Sequence, residues 1–121
     1  MTPAFWIRTA AIAMFLGVAI GAFGAHALKD ILTEPLKAIF ETGVRYHFVH
    51  GLALFPVAWL SSRTPNHLVE IAGWCFVAGI LLFSGSLYAL SLTGIRALGM
   101  ITPIGGLAFL IGWVCLGASA F

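Results

Sequence analysis

A chain of 121 residues, 61% hydrophobic, 8% charged and with a net charge of +2, has room for one domain. It has too few polar groups to coat a soluble globule, which carries about 25% charged residues. The small, dispersed charge excludes nucleic acid as a partner. Cys75 and Cys115 stand alone inside apolar runs, which excludes a disulfide scaffold or a paired-cysteine zinc site and leaves both as small packing residues.

The charged residues mark off four uncharged runs: Thr9–Leu28, Tyr46–Ser62, Ile71–Ile95 and Ala97–Phe121. About 20 apolar residues, rising roughly 1.5 Å each, cross a hydrocarbon core of about 30 Å. Each run qualifies, the second only just. The runs are apolar throughout rather than alternating, which argues against β spans. The expected fold is all-α: an integral membrane, antiparallel four-helix bundle. It forms a single transmembrane domain over residues 1–121, with spans near residues 5–27, 42–61, 69–93 and 97–119. The bilayer is the implied partner.

The first span opens at Arg8 and closes on Ala25-His26-Ala27, a small-x-small triplet that also suits a signal peptide. Its apolar run exceeds the usual length of such peptides, which favours a membrane anchor. Ala13, Gly17, Gly21 and Ala25 recur every four residues, with Gly24 beside them. A stripe of small residues lets another helix approach closely where lipid supplies no hydrophobic drive.

Before the second span lies a short amphipathic segment, TEPLKAIFETGVRYHF, whose helical spacing moves the real start of that short span earlier. Thr33 can cap a helix, and Glu34 and Pro35 suit its first turn. Glu34, Lys37, Glu41 and Arg45 alternate in sign three or four residues apart. Such a ladder is a solvated face at the membrane surface or a docking face for a partner. Pro56 and Pro103 each remove a backbone donor and are expected to kink their helices. In the last span Gly105, Ala108, Gly112, Cys115 and Ser119 form one continuous small face.

Alternate crossing brings the end of span one, the start of span two, the end of span three and the start of span four to one membrane face. Most polar residues fall in that half: His26, Tyr46, His47, His50, Ser84, Ser86, Tyr88, Ser91, Thr93, Arg96 and Thr102. The other half offers little beyond Trp6, Trp59, Trp74 and Trp113, expected as interface or lipid-facing aromatics.

Two readings of this asymmetry stand side by side. Ionisable groups inside a membrane are often functional, and His47 and His50, three apart, with His26 from the antiparallel neighbour, can form a site for a metal or a haem. Alternatively, the histidines and serines satisfy one another and exposed backbone, fixing helix register through bonds averaging about 0.6 kcal/mol. No H-E-x-x-H or Glu-x-x-His motif occurs, and Ser84 and Ser86 have no acidic partner for a triad. No catalytic residue, metal ligand set or cofactor is therefore expected.

GAFGAHALK, YHFVHGLAL, LFSGSLYALSLTG and RALGMITPIGGLAFLIGW occur in that order. In this the chain resembles the domain of unknown function 423 family of small membrane proteins, which includes the transmembrane protein 256 relatives. Gly24, His26, His50, Ser84, Gly85, Ser86, Tyr88, Gly94, Pro103 and Gly105 match motif positions, while Val49 and Gly51 depart from the residues usual there. The resemblance implies a four-span membrane protein with no established reaction, and it supplies no catalytic residue.

The expected role is a small interaction or accessory subunit, joined to a larger membrane complex or to copies of itself. The alternative is a module that binds or transports a small molecule, lipid, quinone or metal around His26 and His50. Lys29, Lys37, Arg45 and Arg96 flank one face, and Arg8 and Arg63 the other. The positive-inside rule then places both termini outside the cytoplasm, in a bacterial inner membrane.

Overall fold

The computed structural model describes residues 1–121 as four helices with no strands. The first helix, Pro3–His26, begins at Thr2, whose hydroxyl accepts from the amide of Phe5 at 3.1 Å. Proline at its first position meets an amide that would lack a partner anyway. The second helix runs unbroken over Glu34–Arg63. The amphipathic segment forms the opening turns of this 30-residue helix, so the second span starts earlier than its uncharged run, as the helical spacing implied. Pro56 lies inside it without ending it.

The third helix spans His67–Thr93. Its N-cap is Asn66, whose side chain accepts from Leu68 at 2.8 Å. Residues Ile80–Ser84 widen into a π-helical turn. The helix ends at Gly94, whose φ of 73° is a left-handed cap that a side chain would strain. A 3₁₀ turn, Arg96–Met100, leads into the fourth helix, Thr102–Ala118. Pro103 sits in the first turn of that helix. It therefore starts the helix rather than kinking it, a correction to the sequence expectation.

Three helical stretches, Pro3–His26, His67–Thr93 and Arg96–Ala118, are long and apolar enough to cross a membrane. The second helix falls short by composition, because its opening turns carry the charge ladder and its middle carries His47 and His50. Of that ladder only Lys37 and Glu34 pair, at 3.1 Å. At the opposite end the N-terminal amine meets Glu70 at 2.7 Å, tying the start of the first helix to the start of the third.

Apolar residues dominate the half of the bundle near Met1 and Arg63. Trp6, Ala10, Leu54, Val57, Val69, Ala72, Phe76 and Phe109 form its core. Trp6 is fully buried, not lipid-facing as its sequence suggested. Its ring lies where a side chain on Gly73 would stand, and it packs edge-on against Phe5 and Trp74. The indole N–H of Trp6 has no partner.

Glycines set how closely the helices meet. Along the first helix, a Cβ on Gly17 would lie 3.2 Å from the Phe48 ring and one on Gly21 3.3 Å from Val44, while Gly24 faces Phe40. These positions receive side chains of the second helix, not its backbone. Gly112 likewise receives Phe76, with a Cβ 2.7 Å from that ring. Gly105 differs: it meets the backbone of Leu82 and Phe83 in the π turn. Among the glycines, only Gly105 would set a Cβ against the main chain of another helix.

Candidate functional site

A seam of polar side chains crosses the middle of the bundle, and the second helix carries its centre. His47 and His50 lie one turn apart and are both 4% exposed. Nε2 of His47 lies 2.7 Å from the carbonyl of Ala13 in the first helix, and Nδ1 lies 2.9 Å from the Tyr88 hydroxyl in the third. A carbonyl can only accept, so Nε2 carries a proton, and in the neutral ring Tyr88 then donates to Nδ1. Three helices are joined through one imidazole.

His50 uses the other tautomer. Its Nδ1 donates to the carbonyl of Tyr46, one turn back, at 2.8 Å, and its Nε2 accepts the indole N–H of Trp113 at 3.0 Å. The Phe109 ring stacks on the imidazole with centroids 3.5 Å apart and planes 9° from parallel. Both ring nitrogens are engaged in each histidine. A metal or haem iron bound by either would displace a hydrogen bond inside a closely packed contact.

The hydroxyls complete the seam. Ser84, at the end of the π turn, donates to the carbonyl of Gly43 at 2.7 Å. The π turn shifts the third helix's face, and its last residue reaches the neighbouring backbone. Ser86 donates to Phe83 at 2.9 Å and, its proton thus committed, accepts from Thr102 at 2.6 Å. Ser84 and Ser86 are buried, so each bond replaces water that is not there.

The seam unites His47, His50, Ser84, Ser86, Tyr88 and Thr102, but not His26 or Arg96. Both of these are exposed and make no side-chain hydrogen bond. His26 follows Gly24, which faces the second helix, by two residues. A helix turns roughly 200° over two residues, which points His26 away from that neighbour. It also lies some 13 residues beyond Ala13, roughly 20 Å along the axis. The expectation that His26 joins His50 in the interior is corrected on both counts. Arg96 opens the 3₁₀ turn at the rim, outside the packed helices.

Trp113 and Phe109 were missed as partners of His50. One signal was available: an indole N–H in an apolar span needs an acceptor, and few exist there. Which acceptor it takes depends on how the fourth helix docks, and spacing within one helix does not hold that information.

The family described as protein of unknown function (DUF423) matches residues 20–106. The chain belongs to this family. It is 47% identical over 116 residues to UPF0382 membrane protein YwdK of Bacillus subtilis, covering 95% of this chain and 94% of that protein. It is 44% identical to a UPF0382 membrane protein of Staphylococcus haemolyticus, covering 96% and 94%. A UPF0382 membrane protein of Haemophilus influenzae is 40% identical, covering 96% and 93%. No solved structure matches. The names agree with the apolar helices: this DUF423 chain is a membrane protein. The family match runs from Ile20 to Gly106 and so takes in His47, His50, Ser84, Tyr88 and Gly105.

Proposed function

We propose that this DUF423 protein is a small interaction or accessory subunit of a membrane complex, working through its outer surface rather than an internal site. The observation that carries this reading is the outward face of the first helix. Ala4, Ala11, Val18 and Ala22 are all exposed there, on the same side as Arg8 and Phe15, so the face offers shallow recesses around one large, exposed ring. Lipid accepts large side chains at such positions, whereas small ones let a foreign helix approach closely. The buried polar groups point the same way, since the bundle's own helices use them.

In this reading the second helix supplies a fourth crossing, its histidines shielded by the other three. The protein sits in the bacterial inner membrane with both termini outside. A binding or transport role around His26 and His50 draws less support, because the two lie at different depths.

Gentle extraction followed by native mass spectrometry should show a stoichiometric partner or a defined homo-oligomer. That association should be lost in Ala11→Leu/Ala22→Leu while the melting temperature of the bundle holds. Isolation as a lone monomer with and without the substitutions would defeat the proposal.

A further inference from the structure

Between the last turns of the first helix and the first turns of the second lies an open groove of about 550 Å³. Its floor is apolar: Gly21, Val44 and Phe48. Its rim carries Lys29, Lys37 and Arg45 against one carboxylate, Glu41. The surplus of positive charge is concentrated at one end of an otherwise greasy channel.

Arg45 is the decisive residue. It is exposed, and no carboxylate lies within ion-pair distance of it; Lys37 pairs only with the solvent-exposed Glu34. Val44 packs on Gly21 and Phe48 on Gly17, so Arg45 stands level with a point at least five residues inside the end of the first helix at His26. That is roughly 7–8 Å or more from the helix end, measured along the axis. An unpaired guanidinium at that depth extends toward the headgroup layer, where phosphate is the abundant anion. Guanidinium binds phosphate in a bidentate, charge-assisted fork.

We propose that this groove is a binding site for an anionic phospholipid. Its phosphate is held by Arg45, with Lys37 and Lys29 adding charge nearer the surface, and one acyl chain lies over Gly21, Val44 and Phe48. Basic recesses between membrane helices suit acidic lipid headgroups. The site is distinct from the polar seam and from the outward face of the first helix. It needs no partner protein.

The test uses the full-length protein, delipidated in detergent and titrated with phosphatidylglycerol or phosphatidylcholine of identical acyl chains. Native mass spectrometry reads the lipid retained. The parent should prefer phosphatidylglycerol about tenfold or more. Arg45→Gln should lower that preference about fivefold, the effect of one cation near a charged surface, and Arg45→Gln/Lys37→Gln should abolish it. Both side chains are free of tertiary bonds, so thermal unfolding followed by circular dichroism should not change. A second control is Ser62→Gln, at the other membrane face, which should leave the preference intact.

Equal retention of the two lipids, or an undiminished preference in the double variant, would overturn the proposal. Displacement of the lipid by millimolar inorganic phosphate alone would also overturn it, because the site would then recognise phosphate without the chain. So would a second copy of the protein filling the groove, seen as a dimer that excludes lipid.

Discussion

Trp113, in the last helix, donates its indole N–H to Nε2 of His50 at 3.0 Å, while Nδ1 of the same ring donates to Tyr46. One imidazole thereby has its tautomer fixed from both sides. Replacing Trp113 by Phe should keep most of the packing but leave Nε2 without a donor, costing about 1 kcal/mol. His50→Ala also removes the stack on Phe109 and should cost about 2–4 kcal/mol. In a double-mutant cycle read by thermal unfolding in detergent, the pair should couple by about 0.6–1.7 kcal/mol. Strict additivity would mean that the bond contributes nothing.

The histidines should separate sharply on substitution. His26 is exposed and unbonded, so His26→Ala should change stability by less than about 0.5 kcal/mol. His47→Ala strands the Tyr88 hydroxyl and opens a void beside Gly17, and should cost about 2–4 kcal/mol. Comparable melting temperatures for the two variants would contradict this placement.

Gly105 and Gly117 lie in the same helix with opposite surroundings. A Cβ on Gly105 would enter the backbone of the π turn, whereas one on Gly117 would meet nothing within 4 Å. Gly105→Ala should therefore destabilise by more than about 2 kcal/mol, since backbone on both sides cannot easily yield. Gly117→Ala should be neutral or gain up to about 1 kcal/mol from helix propensity. The ordering of the two midpoints in a chemical or thermal melt decides the matter.

Trp6 combines full burial with an indole N–H that lacks a partner. Trp6→Ala should cost about 3–5 kcal/mol through the cavity it leaves. Trp6→Phe gives up part of the ring but also removes the unpaired donor, and should cost well under half as much. A phenylalanine variant as unstable as the alanine one would show that the N–H finds a partner after all.

The helices were legible because charge marks their ends: Arg8, Arg63, Glu70 and Arg96 bracket runs that only a membrane suits. The facing of residues within those runs was much less so. In water a buried face is apolar and an exposed one polar, but in lipid both are apolar. Trp6, wholly buried, and Trp59, 57% exposed, therefore look alike in sequence. His26 was misplaced for a related reason. Its direction depends on which neighbour Gly24 meets, and its depth relative to His50 on how far the second helix extends past it, which sets Val44 and Phe48 against Gly21 and Gly17. The π turn at Ile80–Ser84 left no mark, since its residues suit an ordinary helix. Only Gly105, read as a close-approach position, hinted that something unusual lay opposite.

The second helix, the least apolar of the four, depends on partners made at different times. Ala13, which receives His47, is synthesised before it, whereas Phe109 and Trp113, which cover and bond His50, come last. An emerging chain therefore completes the bonds of His47 when Tyr88 of the third helix arrives and leaves His50 waiting, its Nε2 unpartnered until the fourth helix docks. Completion of the chain is thus chemically marked inside the bundle, and a product cut short before residue 109 would carry an uncovered imidazole between its helices.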